Sequence, residues 1–169
     1  DCFGVCGGDA EVDECGVCGG DGSSCETHLS LQLALNADGN LDVEYSSTAD
    51  VYGFQFDIPT SDGVTVTGVS GGAAAGVGFM LSAGGNLSFI TVIGFSMTGA
   101  FIPAGDGILT TLTFDGEGEA CMVYLIVSDG EGLPLNGDEG DCICAGSFDC
   151  MGNCGGSAEI DECDLCGGG

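Results

Sequence analysis

The chain has 169 residues, of which 27 are Asp or Glu and none is Lys or Arg, for a formal charge of −27. Nucleic acid and anionic membrane surfaces are held by basic groups that displace counterions, so a chain with none is excluded from both classes of partner. No run approaches the 18 apolar residues of a membrane span, and 44% hydrophobic residues is too many for a disordered polyelectrolyte.

Repulsion of this size needs salt or bound cations to relieve it, and carboxylates and carbonyls are the hard oxygen ligands that Ca²⁺ takes. A halophilic surface is the alternative source of the acidity. The first residue is Asp1, without a signal peptide, so the sequence reads as a processed product or a window of a longer polypeptide.

Residues 1–27 hold Cys2, Cys6, Cys15, Cys18 and Cys25 in a background of Gly and Asp. With no apolar periodicity, this stretch cannot build a core and depends on crosslinks or metal. GVCGGD occurs at both 4–9 and 16–21, which predicts a small ladder of similar turns.

From His28 the pattern changes to short β-branched and alternating runs. Strands are expected at Leu29–Leu35, Leu41–Ser46, Val51–Ile58, Val64–Ser70, Gly78–Ser82, Leu87–Ser96, Ile108–Phe114 and Cys121–Val127. Turn residues separate them at 36–40, 61–63, 103–107 and 115–118. The one helix candidate, Gly72–Val77, is a short turn between glycines. The most apolar runs, Val51–Phe56 and Leu87–Phe95, are expected in the core. Eight strands without a real helix make an all-β sandwich. Asn36, Asp38, Asn40 and Asp42 alternate like the start of an EF-hand loop, yet Leu41 and Ser47 stand where that loop needs Gly and Glu, so a hairpin turn is expected instead. Asn86-Leu87-Ser88 is a glycosylation sequon of the kind that also arises by chance.

Beyond Val127 the chain returns to Gly, Asp and Glu, and a boundary near 141 divides it into a unit at 1–27, a sandwich at 28–141 and a second unit at 142–169. The two cysteine units match: residues 1–20 and 149–168 are identical at 14 of 20 positions, at an offset of 148. A fixed period of this kind is the signature of strung or stacked units.

The middle of the chain resembles the cohesin family, carried by Val51–Ile58 (VYGFQFDI), Val64–Gly72 (VTVTGVSGG) and Ile102–Phe114 (IPAGDGILTTLTF). The resemblance covers about residues 30–128. It implies a jelly-roll β-sandwich acting as a non-catalytic module of an extracellular scaffold, with calcium-binding dockerins as partners. CGVCGGDGSSC at 15–25 resembles a disulfide-bonded stretch of secreted metalloproteases that bear disintegrin-like and thrombospondin motifs.

Twelve cysteines in a secreted-looking chain are expected in disulfides: Cys2, Cys6, Cys15, Cys18, Cys25, Cys121, Cys142, Cys144, Cys150, Cys154, Cys163 and Cys166. If Cys121 pairs with Cys142, then Cys144 and Cys25 are left as odd thiols that need a partner in another unit or a neighbouring chain. Zinc is the competing reading, because Cys15-x₂-Cys18 and Cys163-x₂-Cys166 have knuckle spacing, with Cys2 or Cys150 to complete a site. Calcium is expected at the acids repeated beside the cysteines, Asp1, Asp13 and Glu14 in the first unit and Asp149, Asp161 and Glu162 in the second. Solvated loop acids are the alternative.

With one histidine, His28, and no nucleophile placed beside a base, the chain is not expected to be an enzyme. The expectation is an extracellular structural module that joins neighbouring copies of itself head to tail, through disulfides and Ca²⁺, into a filament, stalk or adhesin. The alternative is a binding module for a dockerin-like protein or a carbohydrate.

Overall fold

The computed structural model describes Glu11, Cys18, Gly19 and residues 28–167. Two five-stranded sheets face each other. The first has the order β11-β1-β2-β7-β4, from β1 (Leu29–Leu35), β2 (Leu41–Ser47), β4 (Thr65–Ser70), β7 (Gly105–Asp115) and β11 (Gly137–Asp138). The second has the order β10-β9-β3-β6-β5, from β3 (Gly53–Pro59), β5 (Met80–Gly85), β6 (Phe89–Phe95), β9 (Val123–Ser128) and β10 (Pro134–Leu135). A small pair, β8 (Gly118–Ala120) with β12 (Ile143–Ala145), closes one end, and α1 (Gly72–Gly76) is the five-residue helix between β4 and β5. The result is an all-β, jelly-roll-like sandwich with disulfide-rich irregular structure at its C-terminal side.

Strand β1 displays the period-2 logic: Leu29, Leu31 and Leu33 are buried while Ser30 and Gln32 face outward. In β3 the same alternation sends Phe54, Phe56 and Ile58 inward. Phe54 stacks at 6.1 Å from Phe56 and 6.3 Å from Phe79, forming the aromatic centre of the core. Thr110 is buried too, with its hydroxyl donating to the Ser70 carbonyl at 3.0 Å.

The eight expected strands are present, with three differences. The Cys121–Val127 run begins later, as β9, because Ala120 ends a separate strand and a bulge lies opposite Gln55 and Asp57. Gly105 and Gly107, expected in a turn, open β7 and pair with Ser47 and Tyr45. Three short strands follow Ser128, where the composition predicts none; β11 pairs with β1 in parallel through Leu29↔Gly137 and Ser30↔Asp138. Two- and three-residue strands carry too little periodicity to be read from sequence.

Gly94 of β6 lies directly under the Phe54 ring, and a Cβ there would overlap it. That ring is buried and flanked by Phe56 and Phe79, so it cannot move aside. Gly94→Ala is expected to destabilise the sandwich by about 2 kcal/mol, as overpacking of a filled core does, read as a lower denaturant midpoint at unchanged m-value.

Candidate functional site

Two features outside the core carry chemistry: the cysteine-rich joint and one sheet face. The joint begins at the Cys121–Cys142 disulfide, which ties the β8–β9 connection to the residue before β12. Strand β12 then pairs with β8 through Ile143↔Ala120 and Ala145↔Gly118, and Ala145 is fully buried. Close approach here needs glycine: a Cβ on Gly118 would overlap the Asp62 carbonyl, and one on Gly155 would come within 2.9 Å of the Glu117 backbone. The C-terminal unit is thereby packed against the sandwich rather than hung from it.

Within that unit one turn occurs twice, twelve residues apart. The Asp149 carboxylate accepts the backbone N–H of Met151 (3.0 Å) and Asn153 (2.8 Å); the Asp161 carboxylate accepts those of Cys163 (2.8 Å) and Leu165 (2.9 Å). Bridges Phe148↔Cys154 and Ile160↔Cys166 close the two hairpins. Gly155 N–H donates to Ser147 O at 2.9 Å, and Gly167 N–H donates to Glu159 O at 3.0 Å. The described fragment of the first unit makes the same bond, from Gly19 N–H to Glu11 O at 2.7 Å, again at the offset of 148. The ladder of similar turns expected at residues 1–27 lies, apart from Glu11, Cys18 and Gly19, outside the described residues; the matching C-terminal unit holds two such turns.

The disulfides follow this ladder. Cys144 pairs with Cys154 and Cys150 with Cys166, and Cys18 is also disulfide-bonded. Cys144 is therefore not the odd thiol expected once Cys121 and Cys142 are joined: the chain reverses at Asp149 and returns Cys154 to its side. Cys163, expected in a disulfide, is instead an exposed free thiol, because Cys150 takes the neighbouring Cys166. The same pairing removes Cys150 and Cys166 from any thiolate zinc site. Cys2, Cys6, Cys15, Cys25, Asp1, Asp13 and Glu14 lie outside the described residues.

Among the described residues, Asp149, Asp161 and Glu162 do not converge; the one close group of three metal-capable side chains is Glu119 with Cys121 and Cys142, whose two sulfurs are bonded to each other. Asp149 and Asp161 instead cap their own turns. The same geometry occurs at Asn36, whose Oδ1 accepts Asp38 and Asn40 N–H at 3.0 Å each, which makes the EF-hand-like stretch a hairpin turn.

The second feature is the outer face of the β10-β9-β3-β6-β5 sheet. Its rows are set by register: Gln55 lies between Ile93 and Ile126, Gly53 between Phe95 and Ser128, and Met80 opposite Phe95. Phe95, 38% exposed, and Ile126, 56% exposed, line a depression of about 210 Å³, and Met80, 52% exposed, stands opposite Phe95 on β5. Asp57 bounds the patch, accepting the Thr91 hydroxyl at 2.6 Å. The Leu87–Phe95 run was expected in the core, and half of it is not there: Val92 is buried, while Phe89, Ile93 and Phe95 face outward. The signal lay in the sequence FITVIGF, which lacks the apolar–polar alternation of a sheet with one wet face.

Beside this face Tyr124 has φ +56° and is 74% exposed. A left-handed aromatic residue is strained, and strain of this kind collects at functional sites. It is held by the bulge and by the next residue, Leu125, whose N–H donates to Glu139 Oε1 at 2.9 Å.

No family model and no curated protein matches the sequence. Solved structures match the fold. The solution structure of CaCohA2 from Clostridium acetobutylicum superposes with a TM-score of 0.52 at 18% identity, covering 70% of this chain and 90% of that one. The sandwich is cohesin-like. The cohesin of the Coh-OlpC–Doc435 complex from Clostridium thermocellum gives 0.51 at 11% identity, covering 69% and 91%. The sixth cohesin of scaffoldin B from Acetivibrio cellulolyticus, solved with the Cel5 dockerin, gives 0.51 at 14%, covering 69% and 95%. The uncovered part of the cohesin-like chain is about the size of its two cysteine units.

The turn capped by Asp149 gives the joint a pH response. Hydrogen bonds from the Asn153 backbone, with smaller ones from its side chain and from Ala158 and Met151, hold Asp149 below its ordinary value of 3.8 against a weaker opposing desolvation. A depressed carboxylate contributes stability that is complete above its unfolded pKa and lost as pH falls through the folded one. The amide shifts of Met151 and Asn153 should therefore titrate with a midpoint below 3.8, and Asp149→Asn should abolish that titration while keeping the turn.

Proposed function

We propose that this chain is a non-catalytic binding module of an extracellular assembly, and that the outer face of β9, β3, β6 and β5 docks a dockerin-like protein. The observation that carries this is the uncovered apolar patch of Phe95, Ile93, Met80 and Ile126 on a chain that otherwise repels itself. An apolar centre with Gln55 and Asp57 within and beside it has the anatomy of a protein interface. Tyr124 would add a rigid aromatic anchor at its margin. The cohesin-like fold supports a protein partner over a carbohydrate, since two of the superposed cohesins were solved with dockerins.

A second reading concerns how modules are joined. We propose that the cysteine ladders link successive copies in a linear array, with Ca²⁺ offsetting the charge of the acidic units rather than held in a site of Asp149, Asp161 and Glu162. Its support is the same Glu–Gly hydrogen bond and the same sequence at both ends of the chain, with a tightly packed joint at one of them. Native material viewed by negative stain should then form strings that come apart with reductant plus chelator; monomers in untreated samples overturn the array. Strings that survive the chelator and yield to reductant remove calcium from it.

For the docking face, the immobilised chain should capture a secreted protein from its source. Ile93→Asp and Phe95→Asp should each weaken that capture by at least tenfold, while Gln32→Glu on the opposite sheet leaves it unchanged. Equal capture by all three variants overturns the assignment of the face. Tyr124→Gly should raise unfolding stability by about 1 kcal/mol by releasing the strained φ, and weaken capture at the same time. Greater stability with capture unchanged would remove Tyr124 from the interface.

A further inference from the structure

The β5–β6 hairpin carries a feature that neither docking nor the cysteine ladder uses. Asn86-Leu87-Ser88 is the only Asn-x-Ser/Thr sequence in the chain, and it occupies the whole turn. All three residues are exposed, and Leu87 is 99% exposed, the most exposed large apolar residue of the described chain.

The turn is held by its backbone and by one atom of the asparagine. Asn86 N–H donates to Phe89 O at 3.0 Å, and Asn86 Oδ1 accepts the N–H of Ser88 at 2.8 Å. From the neighbouring loop, Thr60 N–H donates to Ser88 O at 3.0 Å and the Thr60 hydroxyl donates to Leu87 O at 2.6 Å. Neither Asn86 Nδ2 nor Ser88 Oγ makes a hydrogen bond within the described residues. The two side-chain groups that N-glycosylation requires are thus free, while the amide oxygen fixes the asparagine.

We propose that Asn86 is an N-glycan acceptor. The donor is a polyprenyl-pyrophosphate-linked oligosaccharide: Nδ2 forms a bond to the anomeric carbon, the bond from that carbon to the pyrophosphate oxygen breaks, the pyrophosphate leaves with the electron pair, and Nδ2 gives up one proton to a base. The folded protein accommodates the product without rearrangement, because nothing packs over the turn. The glycan stands at the Pro59–Phe89 end of the sheet, away from the Gly53–Phe95 end that holds the apolar depression. There it covers Leu87 and leaves the depression open.

The whole chain, secreted from a eukaryotic host, should carry one glycan. Peptide-N-glycosidase treatment should remove it and convert residue 86 to aspartate in the peptide mass spectrum. Ser88→Ala keeps the backbone N–H that Asn86 accepts, so it should fold unchanged and lose the glycan entirely; Ser88→Thr should retain or raise occupancy. Secreted, disulfide-bonded protein whose mass equals that of the bare chain overturns the proposal, as does a glycan that persists in Ser88→Ala.

Discussion

A carboxylate in a chain without lysine or arginine is satisfied by a bound cation or by hydrogen-bond donors, and much of this structure follows from the second. No Asp or Glu has a lysine or arginine to pair with, so acids turn to the backbone. Asp149 and Asp161 hold two amides each, Asp129 holds those of Glu131 and Leu133, and Asp50 holds that of Ala104. The acids are thereby used as turn caps, in the role Asn36 plays with a neutral amide and Ser96 with a hydroxyl. Charged acceptors make the stronger caps, and backbone amides offer partial positive charge without a cationic side chain.

Cohesion must then come from hydrocarbon and sulfur. The sandwich has enough of the first: the phenylalanines of β3 and the leucines of β1 fill the space between the sheets. The C-terminal unit has little, because Phe148, Met151, Ile160 and Leu165 are all exposed and only Ile143 and Ala145 of β12 reach the core. Its shape rests on three disulfides, capped turns and the glycines that let it lie against the Glu117 turn. One chain therefore holds two regimes of stability, side by side and joined at Cys121–Cys142.

Alternation made the sandwich legible in the sequence. Leu29, Leu31 and Leu33, or Phe54, Phe56 and Ile58, announce both the strand and its inner face, and the second of these runs also carries the cohesin resemblance, with Val64–Gly72 and Ile102–Phe114. The apolar run of β6 points to the core as a whole, whereas alternation along the strand sends Phe89, Ile93 and Phe95 to the outer face. The acids beside the cysteines suggest a cation by their charge, yet in the described unit the geometry of Asp149 and Asp161 is that of the two amides each accepts. The partner of Cys144 depended on where the chain turns, which spacing alone does not state. Likewise, the left-handed Tyr124 arises from a bulge, a property of two strands together.

The charge also constrains what the apolar face can meet. Two copies of a −27 chain repel at long range, so pairing of this face with itself would have to overcome that field wherever salt does not screen it. In the proposed docking, a partner with basic or cation-loaded segments would instead be drawn in, and the apolar patch would hold it once water is expelled. Under the proposed array, contact between copies would be confined to places where the chains are tied covalently, and free association would be left to a partner of different composition. The division of labour between a sulfur-stapled joint and an open sheet face is the arrangement that this composition favours.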